Sequence, residues 1–529
     1  MFRRHSALFA IFLVSGLLTR AGLAGASGEA FAERAEAPER DRASAPASLV
    51  ELLAMSQATV AVEPDGLAPD WPAFIEARLE ALANERERVR EDRDHGLEDR
   101  IRAGLRKLDS GARVAVEVRD LERNVVLVSH GAERPLNPAS NQKLITAIAA
   151  VELLGLDYRF QTTVSRAGDS LILRGEGDPD LHPHDLEALA RETVARAELD
   201  GVTRIVIDDR AFDGRTLGPG FRSDGPGDSY LAPSGALAID YATVAVTVRP
   251  GRHRQPAEIS LAPAGAGFEV HNRARTGAGS LSIKTRAGEG GLTIVEIDGA
   301  IAGGHAPITV RRRVNDPGLV AAAMFAELLA AQTGEPALPV ERELVPDDSA
   351  RVIATHESAS LGAVLHSALR YSNNFTAEQV LRTLAWRASD RPGSWDDGVE
   401  ILERFAAVVS PDASAAQRFV NGSGLSREGR LSPRFVNDVV ALVQRPSSSA
   451  EGLLESFAQA GGRGTLRNRL PVAGDRLLAK TGTYAGASTL SGVVVDGEGR
   501  RLGFSILING GGLSHNRAVQ DRIVAALLR

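Results

Sequence analysis

Cysteine is absent from the 529-residue sequence. That excludes disulfides, thiolate metal centres, a cysteine nucleophile and a lipidated N-terminal cysteine. Lysine is almost as scarce: among 61 Lys and Arg residues only Lys107, Lys143, Lys284 and Lys480 are lysine. Aromatic residues make up 5% of the chain and the net charge is -7, so no basic, aromatic-laced surface is available for nucleic acid. No stretch beyond the N-terminus approaches the ~18 apolar residues of a membrane-spanning helix. Gly-x-x-x-x-Gly-Lys, His-Glu-x-x-His and Gly-x-Ser-x-Gly are all missing, which removes P-loop, zincin and nucleophile-elbow chemistry.

The chain does have enough apolar content, 43%, for two or three domains with real cores. Arg3 and Arg4, the apolar run Ala7 to Leu18 and the small residues to Ala26 predict a signal peptide over 1–26 and hence an exported, periplasmic protein. Residues 27–105 read as a linker followed by charged amphipathic helix, with Phe74, Leu79, Leu82, Leu97 and Ile101 at helical spacing. Val114, Val116 and Val118 alternate and lead through a polar turn to Val125 to Val128, a hairpin signature. After Asn137-Pro138-Ala139-Ser140 the apolar residues Leu144, Ala147, Ile148, Val151 and Leu154 predict a core helix with Ser140 at its positive end. Short β-branched runs broken by Gly, Pro and Asp characterise 166–315, a β-rich inserted module. The segments 106–165 and 316–529 then form one α/β (α+β) domain around it.

Two of the four lysines fall in chemical contexts. In Ser140-Asn141-Gln142-Lys143 the i, i+3 spacing puts amine and hydroxyl on one helix face. A serine needs a neighbour to take its proton, and a lysine does so only if its pKa is lowered; arginine, used nearly everywhere else here, stays protonated. Lys480-Thr481-Gly482-Thr483 is the second and rarer motif, and Ser372-Asn373-Asn374 lies between the two.

This order, Ser-x-x-Lys, Ser-x-Asn, Lys-Thr-Gly, resembles penicillin-binding proteins and serine β-lactamases. The stretch between Lys143 and Ser372 is too long for a class A β-lactamase. It is similar to the D-alanyl-D-alanine carboxypeptidase/endopeptidase family, the class C low-molecular-mass penicillin-binding proteins, in which a module is inserted. Gly175-Glu176-Gly177-Asp178-Pro179, Tyr230-Leu231-Ala232-Pro233, Gly422 to Arg427 and Gly464-Thr465-Leu466 carry the likeness further. The resemblance implies a serine β-lactamase/transpeptidase-like fold acting on peptidoglycan stem peptides, acylated by β-lactams, with no cofactor and no metal. It assigns Ser140 as nucleophile, Lys143 as base, Ser372 as proton relay and Asn374 as amide anchor. Lys480, Thr481 and Thr483, with Gly482 between them, would receive the terminal carboxylate. The oxyanion would be held by the backbone N–H groups of Ser140 and Thr483. Arg427 and Asp224 would face the substrate side chain, although the surroundings of Asp224 depart from the family pattern. A non-catalytic cell-wall scaffold on the same fold is the alternative, and the intact motifs weigh against it.

Other patterns read more plainly. His182 and His184 belong to a Pro- and Asp-rich turn, Lys107 and Lys284 to solvated surface, and Ser514-His515-Asn516 to a chance repeat of Ser-x-Asn at the start of a closing helix.

Overall fold

The computed structural model describes residues 69–529 except 87–88, 198, 343–349, 390 and 446–447. The expected signal peptide and the linker up to residue 68 lie outside the described residues. The alternating valines form the expected hairpin, with Arg113–Asp120 antiparallel to Val125–His130. These strands join a seven-stranded sheet whose order continues from Arg113–Asp120 through Arg501–Asn509, Ala487–Val495, Leu477–Tyr484 and Ala458–Gln459. At the other edge the short strand Arg90–Glu91 pairs parallel to Val125–His130. Because side chains alternate across a strand, both faces need cover. Val493 faces a helical layer, whereas Leu490 and Val494 face a second one formed by His95–Leu105 and Leu513–Leu527.

The centre of the first layer is the helix Gln142–Leu154, buried along its whole length. Its apolar residues point in every direction, so it must be enclosed. Leu361–Arg370, Asn374–Arg387, Trp395–Val409 and Pro433–Leu442 enclose it, contributing Leu365, Leu381, Leu402 and Val436. Leu144, Ile145, Ile148, Val151 and Leu154 are wholly shielded from solvent, and each such side chain contributes about 1.5–3 kcal/mol. Gly155 ends the helix at φ 88°, a conformation that suits glycine. The helix is therefore a rigid base for anything at its N-terminus.

The amphipathic segment ahead of the hairpin forms two helices, and both belong to these cores. Trp71–Asn84 packs Ile75, Leu79 and Leu82 into the helical layer, and Arg78 Nε donates to Glu152 O at 2.8 Å. His95–Leu105 packs Leu97 and Ile101 beneath the sheet.

A separate core holds a five-stranded sheet in the order Val340–Glu341, Arg204–Asp208, Ser170–Gly175, Gln161–Ala167, Arg351–Glu357. With it pack a three-stranded and a four-stranded sheet drawn from residues 243–313. The helix Pro317–Thr333, capped by Asp316 Oδ1 accepting from Leu319 N, adds Val320, Phe325 and Leu329 to the same core. The packed module thus takes in residues on both sides of the 166–315 span drawn from sequence. The helix Asn374–Arg387 is fastened to this module. Gln379 Nε2 donates to Gly235 O at 2.9 Å, and the fully buried Arg382 donates to Asp213 Oδ1 at 2.6 Å and Arg215 O at 3.0 Å.

Candidate active site

Ser140 stands on a single 3-10 turn, Ala139–Asn141, that runs directly into the buried helix. Ala139 before it has φ 44°, and Ser372 has φ 65°. For residues with a Cβ such backbone costs about 1–3 kcal/mol each and survives only where the surroundings impose it. At Gly482 the Lys480-Thr481-Gly482 strand passes so close to this turn that any added Cβ would lie 3.0 Å from Ser140 N and 2.1 Å from Thr489 Oγ1. Glycine is required there by space, since its neighbours leave no room for a side chain.

Lys143 Nζ lies 3.2 Å from Ser140 Oγ, 2.7 Å from Asn374 Oδ1 and 2.8 Å from Ser423 O. The Asn374 amide is oriented by its other end, where Nδ2 donates to Tyr230 O at 2.8 Å. Two of the three partners of the amine can only accept. A neutral amine has two N–H bonds and one lone pair, so it satisfies both acceptors and leaves the lone pair for the Ser140 hydroxyl hydrogen. Full burial lowers the Lys143 pKa to about 7, against an opposing pull from Glu378.

Lys480, also fully buried, donates to Ser372 Oγ at 2.8 Å and to Thr481 O at 2.8 Å. Burial, and next the nearby Lys143, push its pKa well below the usual lysine range. Thr481 Oγ1 donates to Thr465 Oγ1 at 2.8 Å. Ser140, Tyr371, Ser372, Thr465, Thr481, Gly482 and Thr483 line one cavity of about 570 Å3, together with Arg467, Arg469 and Arg517.

The structure thus brings together Ser140, Lys143, Ser372, Asn374, Lys480, Thr481, Gly482 and Thr483. Arg427 and Asp224 do not line this cavity. Asp224 is exposed and held by Arg222 at 3.0 Å through both oxygens, in a second cavity with Thr285, Arg286 and Arg313. Arg427 is exposed beyond the Gly422-Ser423-Gly424 loop, and it is the backbone of that loop that reaches Lys143. His182 lies 3.4 Å from each of Asp180 and Asp240. Hydrogen bonds to those carboxylates, Asp180 first, push it up to about 10, which makes it a paired cation.

Sequence reading missed Glu378. Buried one turn after Asn374, it accepts from Gly422 N at 3.0 Å, Ser423 N at 2.9 Å and Trp395 Nε1 at 2.8 Å. It therefore holds the loop whose carbonyl meets Lys143, and the i, i+4 spacing from Asn374 is the signal that could have found it. Glu378→Ala leaves three buried donors unpaired. We expect it to lower unfolding free energy by about 3–5 kcal/mol, read from denaturant midpoints.

Residues 97–529 match the model of the D-Ala-D-Ala carboxypeptidase 3 (S13) family. The chain belongs to this family. A D-alanyl-D-alanine carboxypeptidase of Actinomadura sp. (strain R39) is 33% identical over 494 residues, covering 89% of each chain. DacB of Haemophilus influenzae is 25% identical over 435 residues, 76% of this chain and 87% of that one. The crystal structure of penicillin binding protein 4 (dacB) from Haemophilus influenzae superposes with a TM-score of 0.67 at 21% identity, covering 81% of this chain and 99% of that one. This S13 chain is a serine-type D-Ala-D-Ala carboxypeptidase with the mixed α/β fold of penicillin binding protein 4. Among the described residues no helix is long and apolar enough to cross a membrane.

Proposed function

We propose that the enzyme hydrolyses the terminal D-Ala-D-Ala bond of stem peptides, or the D-alanyl crosslink to a diamino acid, through an acyl-enzyme on Ser140. The observation that supports this most directly is the set of partners around Lys143: two acceptors, with the Ser140 hydroxyl left for its lone pair. Lys143 takes the hydroxyl proton as Oγ attacks the penultimate D-alanine carbonyl. The N–H groups of Ser140 and Thr483 face the negative oxygen of the tetrahedral intermediate. Ser372, bonded to Lys480, passes the proton taken up by Lys143 on to the leaving amine, which returns Lys143 to its neutral form; the C–N bond breaks and D-alanine departs. Water then attacks the ester, with Lys143 again as base, and Ser140 recovers its proton. Asn374 anchors the substrate amide, and Thr481 and Thr483 accept its carboxylate. A β-lactam enters the same first step and leaves a slow ester. Action on peptidoglycan places the working enzyme outside the cytoplasmic membrane, consistent with the N-terminal signal read from sequence.

Incubation with a fluorescent penicillin, followed by peptide mass spectrometry, is expected to find the adduct on the peptide containing Ser140. Muropeptide digestion is expected to release D-alanine. An unlabelled wild type that also leaves muropeptides intact would end this reading. Loss of one D-alanine and opening of a dimer differ in mass, so the same digestion separates carboxypeptidase from endopeptidase action.

A further inference from the structure

The cleft that holds Ser140 and Ser372 is also lined by three arginines, Arg467, Arg469 and Arg517. The lysines beneath cannot meet an incoming anion on equal terms. Both are fully buried, and Lys480 already donates to Ser372 Oγ and Thr481 O. Arg469 is held by Asp521 Oδ1 at 2.6 Å and Gln520 Oε1 at 3.2 Å. Arg467 and Arg517 are both exposed and form no ion pair among the described residues, and of the two it is Arg517 that donates from Nη2 to Thr483 Oγ1 at 3.2 Å.

Its position is fixed by its neighbours. Asn516, buried beside it, donates to Gly510 O at 2.7 Å, and Gly512 N donates to Asp109 Oδ2 at 2.9 Å. These contacts hold the start of the helix Leu513–Leu527 against the sheet. A guanidinium that meets only a hydroxyl keeps most of its charge unmatched, and its planar fork suits a carboxylate.

We propose that Arg517 is a specificity-determining residue, the cation that holds the α-carboxylate of the departing D-amino acid beside the Thr481 and Thr483 hydroxyls. The assignment rests on Ser140 being the acylated residue, and it deepens that reading by naming the leaving group. Favoured substrates carry a free carboxylate on the carbon next to the scissile nitrogen, as in a terminal D-alanine or the D-centre of a diamino acid crosslink. Disfavoured ones carry a carboxamide there, or are crosslinked through a side-chain amine with no adjacent carboxylate.

The test compares an N-acylated peptide ending in D-Ala-D-Ala with its C-terminal carboxamide. Because kcat/KM for both is measured on the same sample, the fraction of active protein cancels in their ratio. Arg517→Gln is expected to reduce the acid-to-amide ratio about ten- to a hundredfold, mainly through KM, the range of a charge-assisted hydrogen bond. Arg517→Lys, which keeps the charge but not the fork, is expected to recover part of it. A wild-type ratio in Arg517→Gln overturns the proposal, as does a loss produced by Arg467→Gln instead. A wild type inactive on both peptides removes the Ser140 reading and this assignment with it; an active wild type with an unchanged variant ratio removes only the assignment.

Discussion

Ser140→Ala is expected to take no penicillin label and to release D-alanine at least about 10⁴-fold more slowly than the wild type, the loss seen when a nucleophile acting in concert with its base is deleted. Nothing nearby substitutes for it. The other serine hydroxyl that lines the cavity, Ser372 Oγ, is 2.8 Å from Lys480 Nζ and is assigned to proton relay in the proposed scheme. Alanine retains the backbone N–H at position 140 and leaves that of Thr483 untouched, so both donors of the proposed oxyanion hole stay and binding without turnover is the expected residue of function. Intact-protein mass after incubation with penicillin is the measurement. A full adduct on Ser140→Ala would remove Ser140 from the mechanism.

Lys143→Arg keeps the charge and is expected to lose about 10²–10⁴-fold in acylation rate, the usual worth of a positioned base. A guanidinium does not give up its proton at any working pH, and it has no lone pair to offer the hydroxyl. It is also too large for a place shielded entirely from solvent and filled by three contacts. The wild type supplies the sign of the pH effect. With Lys143 at about 7, the amine is protonated below that pH and cannot accept, so single-turnover acylation rises with pH and is half-maximal near 7. The same shift bears on folding. Between about 7 and the unfolded value of 10.5 the unfolded chain binds the extra proton, so stability rises with pH across that window and is insensitive to Lys143 below it. An acylation rate flat from pH 5 to 9 would remove Lys143 as the base.

Motifs that act within one turn of helix were legible in the sequence, because local spacing fixes their geometry. Ser140 and Lys143 share a helix face by count alone, and Asn374 is the first residue of a helix capped by Asn373. Gly482 was legible as a member of the Lys-Thr-Gly motif, but the backbone of Ser140 that leaves it no room for a side chain is brought there by packing. What depends on packing was hidden. The module was bounded at 315 because composition turns helical there, yet Pro317–Thr333 buries its apolar residues in the module's core. Asp224 was carried over from a family pattern, and its partner Arg222, two residues away, engages both of its oxygens. Arg517 lies in a helix far along the chain, beside a Ser-x-Asn dismissed as chance, and only the antiparallel strands between Leu477 and Asn509 return it to the cleft.

The strand Arg113–Asp120 has as its two neighbours Val125–His130 and Arg501–Asn509. The hairpin alone offers an open edge, and the ladder that completes it is made only after the whole helical layer has been synthesised. Such distant pairing delays closure. A nascent chain therefore carries Ser140 and Lys143 well before Asn374 and Ser423, the residues that close around the amine, have been made, and its reactive hydroxyl stays dormant until those distant partners arrive.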